Sequence, residues 1–396
     1  MRIVYYSDNF YPELSGIVDS IMTTGAELKK RGHEVAYVGP HYLPKHYKMV
    51  GKEDTELVAK GKMEFVCDMP VVRLPSIALP SSPTGQSRMA FSYRDSFGFL
   101  EQFQPDIIHT QSPYGCGLEA KKAAKAFGVP LVGTNHTAIE VFYPQMPWLM
   151  RQYDAWYYNH CQFVTAPFGG LINRMREVGF NQPGQGLPNP VVRTLFTPPT
   201  PGEKAQIRRE YGLIGPVVLY AGRVAPEKHL DVVMHSIVKL VPAFPSIKLV
   251  ITGHGPSVKE LQKLVRELRL DEHVFFTGFV TREVLAKLYK AADVFTIMST
   301  ADSQSIALMQ AYSTGIPAIG ARSQGLPDYI PAECGFLLEP GDGDGLTKQL
   351  LALLQDEQLR TTMGAAGLEF ISKMSPEHIA DEWEKIYAQA IKNPRV

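Results

Sequence analysis

The chain has 396 residues with 40 basic and 40 acidic side chains, so no overall charge draws it to nucleic acid. A hydrophobic fraction of 45% suits a globular protein, and the length favours two domains over one. Its four cysteines lack metal-ligand spacing, and we find neither a signal peptide nor an apolar run of membrane-spanning length. We therefore expect a reduced, cytoplasmic protein.

Short apolar runs alternate with amphipathic stretches along the whole chain. The first half opens with a strand at 2–7, a turn-rich loop through Gly16, a helix that ends at Gly32 and a second strand at 34–38. Repeats of this kind predict an α/β fold with parallel sheets and helices on both faces. The opening unit lacks Gly-x-Gly-x-x-Gly, so it gives no support for a dinucleotide fingerprint.

The alternation breaks once, between residues 183 and 202, where six prolines accompany few apolar residues. This stretch predicts a linker between an N-terminal domain over 1–190 and a C-terminal domain over 203–375. The second half carries strands from Val217 to about Leu338 and then helical segments at 344–356 and 358–372. A final amphipathic helix is predicted from Pro376 to Ile391.

Two segments of the second half follow predicted strands. Gly222–Lys228 brings the permanent cations Arg223 and Lys228, and 299–311 brings helix-start amides with polar side chains. Because ligands of parallel sheets bind at strand ends, the two segments together suit a sugar nucleotide. The alternative is that the two cations are surface charges beside a helix start, with Pro226 in its first position and Glu227 favouring the dipole.

Several ordered motifs together resemble the retaining glycosyltransferases of family 4, including glycolipid enzymes such as diacylglycerol glucosyltransferases and phosphatidylinositol mannosyltransferases. The motifs are Ser7–Ile17, Asp106–Thr110, Gly133–Thr137, Gly222–Lys228, Gly253–Pro256 and 299–315. This resemblance covers nearly the whole chain. It implies the GT-B fold, with two facing Rossmann-like domains and a C-terminal crossover helix at 376–396 that returns to the N-terminal domain.

The resemblance also implies roles for the phosphate-binding residues. Arg223 and Lys228 would bind the donor diphosphate and neutralise the leaving group in place of a metal ion. We therefore expect no cofactor and no essential metal. Gly16 would let its backbone approach the donor phosphates at the start of the first helix, although loop glycines are usually turn residues.

On the N-terminal domain, His136 occupies the position of the family's active-site histidine. The resemblance implies contact with the transferring sugar or with the acceptor, whereas a lone strand-end histidine is more often structural. His109 matches another family motif, and we interpret it as supporting the local loops. Asn9 and Tyr11, in the first motif, are further candidates for acceptor binding.

The 302–310 segment departs from the family pattern of two glutamates separated by seven residues. Here the ends are Asp302 and Gln310. The resemblance implies that the first carboxylate lies near the donor sugar and that the second side chain holds the ribose hydroxyls. Asp302 keeps the charge on a shorter side chain, and Gln310 keeps the reach of glutamate without its charge.

The remaining donor-binding candidates are backbone groups. The resemblance implies that amides of Ser303, Gln304, Ser305 and Ile306 bind sugar hydroxyls and phosphate, while the alternative is simple helix capping by Ser303 or Ser305. Gly253 and the Gly278, Phe279, Val280 turn would shape the nucleotide pocket.

Two stretches bear on the acceptor. An aromatic-rich stretch runs from Val141 to Tyr158, and it suits either a lipid entrance or a packed helix. A basic insertion contains Lys45, Lys48, Lys52, Lys60 and Lys62, and it suits either anionic lipid headgroups or a solvated loop.

We expect a metal-independent, retaining glycosyltransferase that moves a hexosyl unit from a nucleotide diphosphate sugar, with UDP favoured, to an acceptor hydroxyl. The family mechanism is front-face attack, with the leaving phosphate taking the acceptor proton. The favoured acceptor is a glycerolipid such as diacylglycerol, reached from the cytosolic face of an anionic membrane, and a glycan or small soluble molecule is the alternative. A non-hydrolysing UDP-sugar epimerase and an inactive nucleotide-sugar-binding protein are alternatives of other classes.

Overall fold

The computed structural model describes residues 1–13, 15–48, 63–78, 87–91, 94–136 and 147–393. The chain divides into two units, each with its own parallel sheet. Unit 1 comprises Met1–Pro190 and Ser375–Val396, and unit 2 comprises Val191–Met374.

Unit 1 is a sheet flanked by helices. Its strands are β1 (Arg2–Tyr6), β2 (Glu34–Pro40), β3 (Met63–Val66), β4 (Met69–Leu74), β5 (Ser76–Ala78), β6 (Arg88–Ala90), β7 (Ile107–Thr110), β8 (Leu131–Thr134), β9 (Phe163–Ala166) and β10 (Gly184–Gly186). Its helices up to the linker are α1 (Gly16–Lys30), α2 (Pro44–Lys48), α3 (Phe97–Phe103), α4 (Gly115–Phe127), α5 (Pro147–Tyr158) and α6 (Gly169–Glu177).

The main sheet of unit 1 has the strand order β10-β9-β8-β7-β1-β2-β4-β3. Its neighbours are parallel except for the edge pair, in which β3 runs antiparallel to β4. Strands β5 and β6 form a separate antiparallel pair. The order reverses between β1 and β7, so the loops that follow these two strands border the crevice where ligands of such sheets bind.

In unit 2, strands and helices alternate more regularly than in unit 1. Its strands are β11 (Val217–Ala221), β12 (Lys248–Thr252), β13 (Val274–Gly278), β14 (Val294–Ile297), β15 (Ala318–Ala321) and β16 (Gly335–Leu338). Its helices are α7 (Pro201–Glu210), α8 (Leu230–Leu240), α9 (Val258–Glu267), α10 (Arg282–Ala291), α11 (Ile306–Ser313), α12 (Leu326–Tyr329), α13 (Gly343–Gln355) and α14 (Glu357–Ser372). The all-parallel order β13-β12-β11-β14-β15-β16 is that of a Rossmann sheet, and it reverses between β11 and β14.

Local sequence explains the first helix. Ser15 caps α1 by accepting a hydrogen bond from the Val18 amide at 3.3 Å. Ile21 and Leu28 are buried on one face of α1, and Gly32 adopts a φ of +86° just beyond its end. The predicted helix and its glycine stop are both confirmed.

The last helix, α15 (Pro376–Lys392), belongs to unit 1. Trp383, Ile386 and Tyr387 are buried in the core of this unit, and α15 contacts α1. Arg31, just after α1, donates hydrogen bonds to Asp381 at 2.6 Å and to Glu384 at 2.8 Å. The predicted return of the C-terminal helix to the N-terminal unit is confirmed, and apolar burial with ion pairing holds it there. None of the helices in the described ranges has the length and apolar character needed to cross a bilayer.

Candidate active site

Two loops meet at the point where the sheet of unit 2 reverses its order. The loop beginning at Gly222 follows β11, and the loop beginning at Met298 follows the neighbouring strand β14. The Thr300 amide donates to the Glu227 carbonyl at 3.0 Å, which joins the two loops directly. The two sequence motifs therefore lie side by side, at the position where open parallel sheets hold ligands.

Glycines allow a third loop to pack against the first. Gly253 follows β12 with a φ of +118°, and a Cβ there would lie 2.0 Å from the Gly222 carbonyl oxygen. The Gly253 amide donates to the Gly278 carbonyl at 2.9 Å, so the loop after β13 is joined as well. Gly278 itself has a φ of +67°. Close backbone approach therefore requires glycine at 253, and the left-handed conformation favours it at 278.

The two predicted phosphate-binding cations are both engaged in ion pairs. Arg223 donates from Nη2 to Glu227 Oε1, and its side chain is 57% exposed. Lys228 Nζ donates to Asp302 Oδ2 at 2.7 Å and to Ser299 Oγ at 3.3 Å, and its side chain is only 13% exposed. Two cations and two carboxylates therefore neutralise each other, and a diphosphate that bound either cation would compete with a carboxylate.

Sequence reasoning did not find these pairs. Arg223 and Glu227 stand four positions apart, a spacing that allowed the pair to be proposed. Glu227 was instead interpreted only through the helix dipole, and Pro226–Lys228 is a single 3₁₀ turn ahead of α8, not the start of that helix. Lys228 and Asp302 are far apart in the chain and carried no local signal.

The 302–310 segment places its residues around the start of α11. Ser305 accepts a hydrogen bond from the Leu308 amide at 3.3 Å, so its side chain is the helix cap. Ser303 and Gln304 precede the helix, Ile306 is its first residue, and the half-buried Gln310 lies in its second turn. The first-turn amides of such a helix have no partners within the helix and form an electropositive end.

The turn after β13 contributes an exposed aromatic ring. Phe279 is largely exposed, and its ring centroid lies 5.9 Å from that of His254, which belongs to the neighbouring loop after β12. Val280 continues this turn towards α10. The predicted nucleotide-pocket residues therefore form one continuous edge of unit 2 with Gly253 and Gly278.

His136 lies two residues beyond β8 in unit 1 and is buried. Its Nε2 lies 2.6 Å from Gln111 Oε1, whereas its Nδ1 has no hydrogen-bond partner within the described part of the chain. Burial lowers the pKa of His136 from 6.5 to about 4, because a positively charged ring would lose the hydration that stabilises it in water. The imidazole is therefore neutral at physiological pH, and one of its nitrogens has no partner among the residues that the structure describes.

Gln111 joins His136 to His109. Gln111 Nε2 lies 2.9 Å from His109 Nε2, and His109 Nδ1 lies 2.8 Å from the Tyr387 hydroxyl on α15. His109, interpreted from sequence as supporting local loops, thus connects the C-terminal helix to Gln111. Sequence reasoning missed Gln111, although its position directly after β7 puts it at the same sheet edge as His136.

The other candidates of unit 1 lie beyond β1. Gly16 is the first residue of α1, as the phosphate hypothesis requires. Asn9 donates from Nδ2 to Glu13 Oε1 at 3.1 Å, and the Tyr11 ring packs edge-on against Tyr47 with centroids 6.3 Å apart. Asn9 and Tyr11 therefore both make contacts within unit 1, and their acceptor role stays a prediction.

The two stretches considered for the acceptor are described in part. Residues 141–146 and Lys52, Lys60 and Lys62 lie outside the described residues, as does the side chain of Lys48, while Lys45 is exposed on α2. Helix α5 buries Tyr157 and Tyr158 but exposes Trp148 and Trp156. The buried side of α5 fits the interpretation as a packed helix, and its exposed aromatic side fits the interpretation as a lipid entrance. Within the described ranges, no group of three or more His, Cys, Asp or Glu side chains is arranged to hold a metal ion.

Two family models match successive parts of the chain. Residues 14–195 match the model described as Glycosyltransferase Family 4, and residues 204–370 match the model described as Glycosyl transferases group 1.

Named relatives extend over most of the chain. A GDP-mannose-dependent alpha-(1-6)-phosphatidylinositol monomannoside mannosyltransferase of Mycolicibacterium smegmatis is 30% identical, over 91% of each chain. An alpha-monoglucosyldiacylglycerol synthase of Streptococcus pneumoniae is 23% identical, over 99% of this chain and 86% of the relative. The sulfoquinovosyl transferase SQD2 of Arabidopsis thaliana is 28% identical over 87% of this chain, which spans 65% of the plant protein.

Solved structures share the fold. The Anabaena protein HepE, in complex with UDP, superposes with a TM-score of 0.77 over 98% of this chain and 100% of its own, at 16% identity. Sucrose-phosphate synthase from Thermosynechococcus elongatus gives 0.75 over 99% of each chain, at 19% identity. The family matches, the relatives and these structures agree with one another: the chain belongs to glycosyltransferase family 4, has the GT-B fold and is a hexosyltransferase.

Proposed function

We propose that this enzyme transfers a hexosyl unit from a nucleotide diphosphate sugar, with UDP as the favoured nucleotide, to a hydroxyl of a membrane glycerolipid such as diacylglycerol. The observation that supports the donor assignment is the contact, at the reversal point of the sheet of unit 2, between the loop that contains Arg223 and Lys228 and the loop that leads into α11. Positive charge and helix-start amides at one place are what a diphosphate needs.

The ion pairs give the donor site a specific mode of action. An entering diphosphate would take the Arg223 guanidinium from Glu227 and the Lys228 ammonium from Asp302, each charged contact being worth about 1.5–3 kcal/mol. The same cations would stabilise charge on the departing nucleoside diphosphate, and this supports a reaction without an essential metal. We carry over from the family that the sugar keeps its anomeric configuration and that the acceptor proton passes to the leaving phosphate oxygen.

His136 is assigned to the transferring sugar or the acceptor. Its neutral ring offers Nδ1 as a buried hydrogen-bond acceptor that nothing in the described chain uses. Such a group stabilises a substrate hydroxyl that points into it, since an unused buried acceptor gains its full hydrogen bond on binding. Gly16, Asn9 and Tyr11 are proposed to complete the substrate contacts of unit 1.

A lipid acceptor is supported by the names of two relatives, a phosphatidylinositol monomannoside mannosyltransferase and a monoglucosyldiacylglycerol synthase. It is also supported by a surface of unit 1 that we call the α4–α5 face. This face comprises Leu118, Lys121, Lys122, Lys125, Trp148, Leu149 and Trp156.

The α4–α5 face contains both apolar and basic side chains, and one pair of them is in contact. Trp148 is 65% exposed and Trp156 is 48% exposed, and Lys121 Nζ lies 4.2 Å from the Trp156 ring centroid. Tryptophan is favoured at the membrane interface, and each lysine near an anionic leaflet contributes about 1 kcal/mol. We therefore propose that this face rests on the anionic membrane that supplies the acceptor.

A donor and acceptor screen tests the proposal. Release of nucleoside diphosphate is followed with UDP- and GDP-sugars, with and without diacylglycerol in detergent micelles. We expect release from a UDP-sugar that rises several-fold with the lipid, and a glycolipid product by mass spectrometry. Turnover only on soluble glycans, or epimerised donor without any acceptor, would replace the glycerolipid assignment.

A flotation experiment tests the membrane contact separately. Vesicles of phosphatidylcholine with phosphatidylglycerol should carry the native enzyme, and vesicles of phosphatidylcholine alone should carry much less. The double variant Trp148→Ala, Trp156→Ala should lose binding, whereas Phe279→Ala, which removes an exposed aromatic ring from unit 2, should keep it. Equal flotation of both variants would remove the α4–α5 face from the proposal.

A further inference from the structure

A continuous row of hydrogen bonds runs through the core of unit 1 and ends at His136. It starts at the hydroxyls of Tyr5 and Tyr387, which lie 2.8 Å apart, and passes from Tyr387 to His109 over 2.8 Å. It continues from His109 to Gln111 over 2.9 Å and from Gln111 to His136 over 2.6 Å. All five side chains are buried, so water does not compete for these contacts.

We propose that Gln111, His109 and Tyr387 are positioning residues that fix the tautomer and orientation of His136, so that its Nδ1 lone pair faces the substrate. This inference rests on the proposed function of His136 as a substrate contact. It assigns the C-terminal helix a part in the reaction, since Tyr387 belongs to α15.

The partner of each atom determines which atom donates and which accepts in each hydrogen bond of the row. Gln111 Oε1 can only accept, so His136 carries its proton on Nε2 and donates it at 2.6 Å. The Gln111 amide nitrogen can only donate, so His109 Nε2 is unprotonated and His109 carries its proton on Nδ1. His109 Nδ1–H then donates to the Tyr387 oxygen. His136 Nδ1 is therefore unprotonated, and it has no hydrogen-bond partner within the described residues.

The surroundings keep this arrangement neutral and ordered. Burial lowers the pKa of both histidines, so neither becomes doubly protonated near neutral pH. Thr134 Oγ1 lies 2.8 Å from His109 Nε2 and can donate to the same lone pair. His109 also packs against the Trp383 ring at a tilted angle, with centroids 4.3 Å apart, so α15 holds it by both ring packing and hydrogen bonding.

A small cavity borders the row. It is lined by His109, Gln111, His136, Asn189 and Trp383 among others, and about 20 Å³ of it is open to the centres of water molecules. This is room for about one water, and its polar lining suits one.

The tautomers can be measured without any substrate. Protein labelled with ¹⁵N-histidine is studied at pH 7 by two-bond ¹H–¹⁵N correlation, with His136→Asn and His109→Asn used to assign the two rings among the chain's 11 histidines. We expect His136 protonated on Nε2 and His109 protonated on Nδ1. The reversed pair, or a mixture of tautomers at either ring, would overturn the proposal whether or not the enzyme transfers sugar to lipid.

Kinetics provides the functional test, with released UDP as the readout. Gln111→Leu should lower kcat about tenfold, since it removes the hydrogen bond that orients His136 and the one that joins Gln111 to His109, while UDP affinity changes less than twofold. Tyr387→Phe should lower kcat about threefold and disturb the His109 tautomer. Tyr37→Phe is the matched control, because Tyr37 is a buried phenol of the same core whose hydroxyl contacts Met69 and not the row.

The outcomes separate this proposal from the proposed function. Unchanged kcat in both Gln111→Leu and Tyr387→Phe would refute the row as a positioning device even if lipid glycosylation is confirmed. Equal losses in Tyr387→Phe and Tyr37→Phe would show that only core packing was disturbed. If Gln111→Leu does not fold, the Tyr387→Phe comparison and the native tautomers still decide the matter.

Discussion

The two candidate sites of this enzyme are built in opposite ways. In unit 2, Arg223 and Lys228 are charged, partly exposed and paired with Glu227 and Asp302. In unit 1, His136 is neutral and buried at the end of a row of uncharged hydrogen-bonding side chains. We propose that the first site exchanges its ion-pair partners for a diphosphate, whereas the second holds one atom of His136 in a fixed place.

This difference follows from what each substrate group requires. A diphosphate is charged and is best bound by cations that have carboxylate partners before it binds, since an unpaired buried cation would be costly. A sugar or lipid hydroxyl brings only a dipole, and a hydrogen bond to it is strongest where water is excluded. The following predictions test this contrast, in order of decreasing effect.

The largest effect concerns acid stability. In the unfolded chain His136 binds a proton near pH 6.5, whereas in the folded chain it does so only near pH 4. Between these values the unfolded state binds more protons, so the contribution of His136 to stability is complete above pH 6.5 and falls as the pH drops towards 4. The loss amounts to roughly 3 kcal/mol. Urea unfolding of native enzyme and His136→Asn should show their stability difference shifting by this amount between pH 7.5 and pH 4.

The next effect concerns the charged site. Lys228→Ala or Arg223→Ala should lower turnover and UDP affinity by about a hundredfold, because each removes a charged contact to the diphosphate. Lys239→Ala is the matched control, since it breaks an exposed ion pair with Asp344 elsewhere on unit 2. A loss as large in the control would show that general charge, and not this site, binds UDP.

His136→Ala should separate the two sites kinetically. We expect turnover to fall about thirtyfold, because a buried hydrogen bond to the reacting partners is lost, while UDP affinity changes little. Initial rates and calorimetric UDP binding measure the two quantities. Equal losses in both would assign His136 to scaffolding.

The smallest effect tests the exchange of partners. Asp302→Asn removes the carboxylate that holds Lys228 at 2.7 Å, so UDP affinity should rise about threefold. Turnover should fall at the same time if Asp302 lies near the donor sugar. Glu227→Gln should raise UDP affinity less, because its partner Arg223 is far more exposed than Lys228. Weaker UDP binding in both variants would contradict the exchange.

The fold could be predicted where the apolar pattern was regular. The strands of unit 2 lie within their predicted range, and the helices α13, α14 and α15 lie close to their predicted bounds, because most of these elements bury an apolar run or face. The edge hairpin β3–β4 was missed. It buries Glu64 and Arg73 as an ion pair at 2.8 Å, so charged residues stand where a strand pattern requires apolar ones.

The site could be predicted only as far as strand ends reveal it. Gly222–Lys228 and His136 each follow an apolar run, which marked them as loop residues at the ligand-binding edge. The pairing of Lys228 with Asp302 and the row from Tyr387 to His136 join distant parts of the chain, and such contacts leave no local pattern.

We propose that Arg223 and Lys228, and not a metal ion, bind the diphosphate. The decisive experiment is calorimetric titration of UDP in EDTA, with native enzyme and the Arg223→Ala and Lys228→Ala variants. We expect that the native enzyme binds UDP without metal, that this binding weakens with salt, and that affinity falls about a hundredfold in each variant. Binding that requires added Mg²⁺ or Mn²⁺ and is the same in all three proteins would contradict it.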